Sequence, residues 1–349
     1  MIELFGMLST AGAQTVELPT TTLGSLRTRG MAGASLAVAE GASSVRENPA
    51  ALAVRRSFRE QTRIELDSSI QLGAHPLLTQ GFERVLGEVS GPRVRARWQG
   101  ALGLRTGPWA TGASVAEDSI EDDDSRWVGR WWSLGVGRAG PTWALGVSSS
   151  LLQFRGNVGT GIEGSVGGGL TLGGLWAPHA SPWRLGARAR TPIRTGPLSD
   201  GQRLRVPFEA GVGVSRTFGA RNRKGPYGPE RAPVSWGCDW LLVDVEVLLT
   251  GGGADAVALS PLLVDEDLAP VGGPTLRARA GVETSLWFEQ LRLRAGIATV
   301  PPRGSVAGFE ATAGAGIQVF EALGLSYRIA GYVGWGPNGW SFGVGGETW

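Results

Sequence analysis

The chain has 349 residues, with 56 Gly, 20 Pro and 14 Trp, and only 18% of its side chains are charged. Glycine at that density without a three-residue repeat excludes collagen, and it would ruin a helical fold. The 42% apolar content excludes a disordered polymer, so strand and turn must dominate. Basic and acidic residues nearly cancel, 33 against 31, and no basic cluster alternates with aromatics, which argues against any nucleic-acid partner. The single cysteine, Cys238, rules out an intrachain disulfide and a Cys-based zinc site. No run of about eighteen apolar residues exists, so no membrane-spanning helix is expected, while a barrel of strands stays open.

In chain order, residues 1–13 read as the tail of a secretory signal. Leu4, Phe5, Met7 and Leu8 close an apolar stretch, Ala11-Gly12-Ala13 has the small-x-small form of a cleavage site, and a basic leading region is missing. Residues 14–60 read as a compact element that the rest of the chain encloses. Its dense part, Thr28 to Leu52, reads as a short amphipathic helix ended by Pro49, because a residue before proline is pushed out of the helical region.

From Thr62 the period becomes two. Ile64, Leu66, Ile70 and Leu72 fall on one face, with Arg63, Glu65 and Asp67 on the other. The same alternation sets Trp98, Leu102 and Leu104 against Arg93, Arg95 and Arg97. Further on, Leu185, Ala187 and Ala189 oppose Arg184, Arg188 and Arg190. It returns with Leu276 and Val282 against Arg277, Arg279 and Glu283, and with Leu291, Leu293 and Ile297 against Arg292 and Arg294. Such strands suit a tilted crossing of a bilayer, where an arginine facing mid-membrane lipid costs about 2–4 kcal/mol. The fold class expected is all-β: a transmembrane antiparallel barrel over 61–349 of about fourteen strands, with the N-terminal element in its lumen. A register break between Asp239 and Asp244 suggests a bulge. An even strand count places both ends of the barrel in the periplasm, with the connections at 74–91, Glu117–Asp124 and Gly251–Gly273 outside. The long basic connection Gly219–Ser235 dissents by falling on the periplasmic side.

No catalytic constellation emerges. Gly159-Thr160-Gly161-Ile162-Glu163-Gly164 has dinucleotide-fingerprint spacing but lacks the crossover unit that gives the motif its mechanism. Glu121-Asp122-Asp123-Asp124 lacks the spacing of a calcium loop, and neither His75 nor His179 has a nucleophile to serve. The chain reads as a non-enzyme without cofactor or metal. Trp98, Trp127, Trp131, Trp176, Trp183, Trp236 and Trp240 suit an aromatic girdle at the membrane interfaces, or the wall of a ligand pocket. The inward arginines pair with Glu65, Asp67, Glu209, Asp244, Glu246 and Glu283, or meet an anionic ligand headgroup.

The segment Gly30, Met31, Gly33, Ala34, Ala42, Ser43, Asn48, Pro49, Ala50 and Leu52 resembles the signature of the FadL/PorV superfamily of Gram-negative outer-membrane barrels. The resemblance implies a plug or hatch at 14–60 and an outer-membrane location, with surrounding lipid as one partner. It implies passive transport of a hydrophobic, fatty-acid-like small molecule, with the ligand leaving sideways. Alternatively it implies a PorV-like barrel that binds protein partners in a secretion, motility or surface assembly.

Overall fold

The computed structural model describes residues 15–17, 25–54, 62–74, 94–121, 126–158, 161–177, 181–197, 203–219, 238–251, 256–258, 274–287, 290–303, 306–322, 325–336 and 339–348. After a short strand β1 (Thr15–Glu17) come two small helices, α1 (Leu26–Gly30) and α2 (Ser44–Glu47), and a 3-10 turn at Pro49–Ala53. Then follow β2 (Thr62–Ala74), β3 (Val94–Thr106), β4 (Trp109–Glu121), β5 (Arg126–Ala139), β6 (Trp143–Val158), β7 (Gly161–Trp176) and β8 (Trp183–Arg190). The short β9 (Ile193–Pro197) and β10 (Arg203–Val206) precede β11 (Glu209–Gly219) and β12 (Cys238–Thr250). The chain ends with β13 (Ala256–Ala258), β14 (Thr275–Leu286), β15 (Leu291–Arg303), β16 (Val306–Ala322), β17 (Leu325–Gly336) and β18 (Gly339–Thr348).

Among the described residues fourteen long strands form the ring, each antiparallel to its neighbours, and β18 pairs with β2 to close it. Closure is what a bilayer demands, since lipid offers no partner to an unpaired backbone group. No helix among the described residues is long and apolar enough to cross a membrane. The outward positions carry the apolar set: Ile64, Leu102, Leu134, Leu172, Leu293 and Ile317 are all exposed. At the end where the short turns lie, Trp109, Trp143, Trp176, Trp183, Trp287 and Phe320 are exposed at strand termini, forming the aromatic girdle.

Two expectations need correction. β4 continues to Glu121, so Glu117–Glu121 belong to a strand and not to an outer connection. The register shift in β12 falls between Cys238 and Trp240, and pairing with β14 runs unbroken from there to Thr250. The break seemed to lie higher because inward-facing Trp240, Leu242 and Leu248 are buried apolar residues, which hides the alternation. The connection Gly219–Ser235 lies outside the described residues apart from Gly219.

The expected strands near 182–192 and 203–218 are one kinked hairpin. β8 pairs with β7 from Trp176↔Leu185 to Thr171↔Arg190, but the ladder resumes at Gly168↔Arg194, one residue longer on the β8–β9 side. Pro192 and Pro207 sit at the two kinks, where a residue without an N–H breaks a ladder. Above the kink β10 pairs with β1, and β1 with β13, both in parallel, so the N-terminal strand lies at the end opposite the short turns.

Leu134 is 65% exposed near the middle of β5. Leu134→Arg is expected to lower folding stability by about 2–4 kcal/mol, read from urea titration in lipid vesicles.

Candidate functional site

Residues 25–54 lie inside the ring, and all but Glu40 and Arg46 are buried. They do not form the expected amphipathic helix. Helix is confined to α1 and α2, and residues 31–43 run through turns in which Ala32, Gly33 and Gly41 have φ of 53°, 88° and 84°. A segment surrounded on every side by wall has no solvent face to give it amphipathic order, so wall contacts dictate its path.

Those contacts press the backbone and side chains of the segment onto bare wall backbone. A Cβ on Gly296 or Gly281 would strike Met31, and one on Gly186 would strike the Leu36 carbonyl. One on Gly173 or Gly146 would strike Asn48 or Pro49, and one on Gly112 or Gly135 would strike Leu52 or Val45. Many of these glycines are direct ladder partners: Gly281 with Gly296, Gly186 with Gly213, Gly146 with both Gly137 and Gly173, and Gly112 with Gly135. The inner wall thus carries a girdle of bare backbone on which the segment rests.

Charge fastens it. Arg27 donates from Nε and Nη2 to Glu283 Oε2 at 2.9 and 2.6 Å, and Arg294 Nε donates to Glu283 Oε1 at 3.0 Å. Glu246 Oε2 accepts the Ser35 and Leu36 N–H groups at 2.9 Å each, while Arg279 Nη1 donates to Glu246 Oε1 and to the Gly33 carbonyl. Glu47 accepts from the Ser25 N–H and the Thr28 hydroxyl, and Arg188, ion-paired with Glu209, donates to the Glu47 carbonyl. Asn48 donates to the Leu36 and Gly174 carbonyls and accepts from Ala50 N–H, which caps the 3-10 turn that Pro49 begins. The Asn-Pro pair therefore ties the segment both to itself and to β7.

The sequence-derived residues divide accordingly. Gly30 backs onto Arg294 and Gly314, Met31 lies on Gly281 and Gly296, Gly33 gives its carbonyl to Arg279, and Ala34 packs with Trp240 and Leu242. Asn48, Pro49 and Ala50 contact the wall at Gly146 and Gly173. Arg277, Arg279, Arg292 and Arg294 face the lumen, with Arg277 paired to Glu310. The side chains of Arg63, Glu65, Asp67, Arg95 and Arg97 lie outside the described residues, as does Arg93 entirely. Glu209, Glu246 and Glu283 meet arginines as expected, whereas neither carboxylate oxygen of Asp244 has a hydrogen-bond partner among the described residues. Among the described residues no three His, Cys, Asp or Glu side chains converge as a metal site.

Sequence reasoning missed two features. The glycine seat was signalled by Gly-x-Gly at inward spacing, as in Gly135/Gly137 and Gly211/Gly213, but abundant glycine reads equally as turns. The second is a buried apolar cluster on the inner wall. Trp131 and Trp240 were expected at outward faces or strand ends, yet both are buried and face inward. Trp131 joins Ala116, Leu152, Ile193 and Val206 in one buried cluster beside the β8–β9 kink, while buried charged groups line β3, β8, β11, β12, β14, β15 and β17.

Gly186→Ala is expected to cost about 1–3 kcal/mol of stability by overpacking and to raise single-channel conductance in a planar bilayer. Gly168→Ala, whose Cβ would meet only the Ser150 carbonyl oxygen at 3.7 Å, is expected to do neither. Glu283→Ala leaves Arg27 and Arg294 without their shared carboxylate and is expected to destabilise by about 3–5 kcal/mol in the same unfolding assay.

Neither a protein-family model nor a curated protein sequence matches the chain. Solved structures do share its fold. A FadL homologue of Pseudomonas aeruginosa aligns at 14% identity and a TM-score of 0.56, covering 96% of this chain and 98% of that one. The monoaromatic hydrocarbon channel CymD aligns at 12% identity and a TM-score of 0.61, covering 93% and 96%. The toluene transporter TodX of Pseudomonas putida aligns at 14% identity and a TM-score of 0.55, covering 96% and 98%. The fold is that of the FadL-type outer-membrane barrels.

Proposed function

We propose that the chain is a passive channel for hydrophobic small molecules in the outer membrane of a Gram-negative bacterium, with residues 25–54 as its hatch. The observation that carries this reading is the buried apolar cluster of Ala116, Trp131, Leu152, Ile193 and Val206 on the inner wall, to which no residue of the 25–54 segment belongs. A barrel that only had to hold its plug would have no need of such a patch, whereas a greasy ligand needs a place to leave water. The named functions of the hydrocarbon channel and toluene transporter that share the fold agree with it.

The wall beside the cluster suits a sideways exit. On its outer face a groove of about 550 Å³ is lined by Trp132, Leu134, Leu151, Gly168, Gly169 and Leu170. Between cluster and groove the ladder is irregular, and the Ile193 side chain occupies the space that a Cβ on Gly169 would need. Ile193 then acts as the door of the exit, and the hatch beneath it keeps water and ions from crossing. A fatty-acid-like ligand and a neutral hydrocarbon both suit the apolar cluster.

Uptake of a radiolabelled long-chain fatty acid and of toluene by cells lacking their own hydrophobic channels tests the proposal. Expression of the wild type is expected to raise uptake of at least one of them. Leu152→Asp places an uncompensated charge in the cluster and is expected to cut that uptake at least about tenfold. Uptake equal to that of cells without the protein, with a stoichiometric protein partner co-purifying on a ligand-free barrel, would overturn transport in favour of a PorV-like assembly component.

A further inference from the structure

We infer that the outer wall carries a binding site for one glycerophospholipid, with the phosphate held by Arg216 and an acyl chain laid in a groove over β7, β8 and β11. The inference rests on the reading of the chain as a bilayer-spanning barrel, not on its being a transporter.

Arg216, like Arg138 over the Trp109 ring, breaks the rule that arginine faces the lumen. Its place on β11 is outward, in step with exposed Val212, Val214 and Phe218. It pairs on the ladder with Trp183, and its guanidinium carbon lies 4.9 Å from the Trp183 ring centre and 4.6 Å from that of Phe218. Two rings thus hold the planar fork in place at the end where the exposed tryptophans gather, the level of the lipid headgroups. Arg130, one of the outward arginines near the opposite end, is neutralised by Glu117. Among the described residues no carboxylate pairs with Arg216. A pre-oriented guanidinium at headgroup level has the geometry to hold a phosphate through two parallel hydrogen bonds.

The groove lies further along the same strands. It holds about 530 Å³, its floor made by Gly174, Ala187, Ala189 and Ala210 and its rims by Leu172 and Leu249. The floor residues are ladder partners, Gly174 with Ala187 and Ala189 with Ala210, so the depression is continuous across three strands. Lipid tails are as apolar as leucine, so the membrane gives no reason to replace large outward residues by small ones at one place. The space left has to be filled, and the only apolar material there is an acyl chain. From Val212 in the groove to Arg216 is four residues of one strand, about 13 Å. A phosphate at Arg216 therefore sends its chain from the interface towards the hydrocarbon where the groove begins. A cation at the headgroup and an apolar trough behind it complement an anionic two-part lipid.

Native mass spectrometry of the detergent-solubilised barrel, reloaded with phosphatidylglycerol and stripped by rising collision energy, tests the site. The wild type is expected to keep one phospholipid after the remaining lipid has left. Arg216→Gln removes the charge and Ala210→Leu fills the groove. Each is expected to lower the retained fraction about tenfold, while Arg130→Gln leaves it unchanged. Heat-modifiable migration on a gel shows that each variant is folded, and Ala187→Leu stands in for any variant that is not. Loss of all lipid at one energy by the wild type would overturn the site, as would equal retention by Arg216→Gln. Diacylglycerol held as firmly as phosphatidylglycerol would overturn the role of the phosphate. A wild type with no heat-modifiable band would overturn the membrane reading itself.

Discussion

The inner element rests directly on the bare backbone of its wall, and most of the architecture follows from that contact. Met31, Leu36, Asn48 and Pro49 lie where a wall side chain of even one carbon would strike them, so successive strands carry glycine at the level of contact. Glycine weakens a strand by entropy and lost packing. Here the closed ladder compensates, because every strand is held on both sides and lipid forbids it to fray. The ring stabilises the glycines, and the glycines make room for the segment that fills the ring.

A segment seated on bare backbone offers few side chains to grip, so polar groups hold it. Glu246 receives two backbone N–H groups of the segment, Arg279 and Arg188 donate to its carbonyls, and Glu283 takes Arg27. Buried ion pairs contribute little net stability compared with apolar packing, but losing one partner is costly. They act as positional locks more than as glue. A segment fastened in this way resists partial displacement, because releasing one partner leaves the other buried and uncompensated.

The lumen is chemically divided. From β12 to β17 it is crowded with charge, while β4 to β7, with β9 and β10, enclose Trp131, Leu152, Ile193 and Val206. The kink at Pro192 and Pro207 lies beside the apolar side, where the wall is most irregular. The inner segment is held on both sides of this divide, by charged groups on β12 and β14 and by glycine contacts and the Asn48–Gly174 hydrogen bond on β4 to β7. Outside, the same economy of small residues yields two grooves, one beside Ile193 and one above Arg216.

Much of this was legible in the chain itself. Period-two alternation with arginine on one face identified the strands, their approximate number and the ring, because a bilayer punishes misplaced charge strongly enough to write itself into the sequence. The Asn48-Pro49 motif likewise marked the enclosed segment, since its bonds to Leu36 and Ala50 are local, although its bond to Gly174 is not. The path of that segment was not legible. Residues 31–43 turn where wall glycines permit, and those glycines come from strands as distant in the chain as Gly296 is from Met31. The same holds for Trp131 and Trp240, whose inward direction depends on register, and for Arg216, whose outward place is tolerable only at headgroup level. Local pattern determined strands, faces and ring closure, because those rest on near-neighbour spacing and the solvent on either side. Tertiary structure alone decided which faces meet across the lumen, because that depends on how the ladders align around a closed circle.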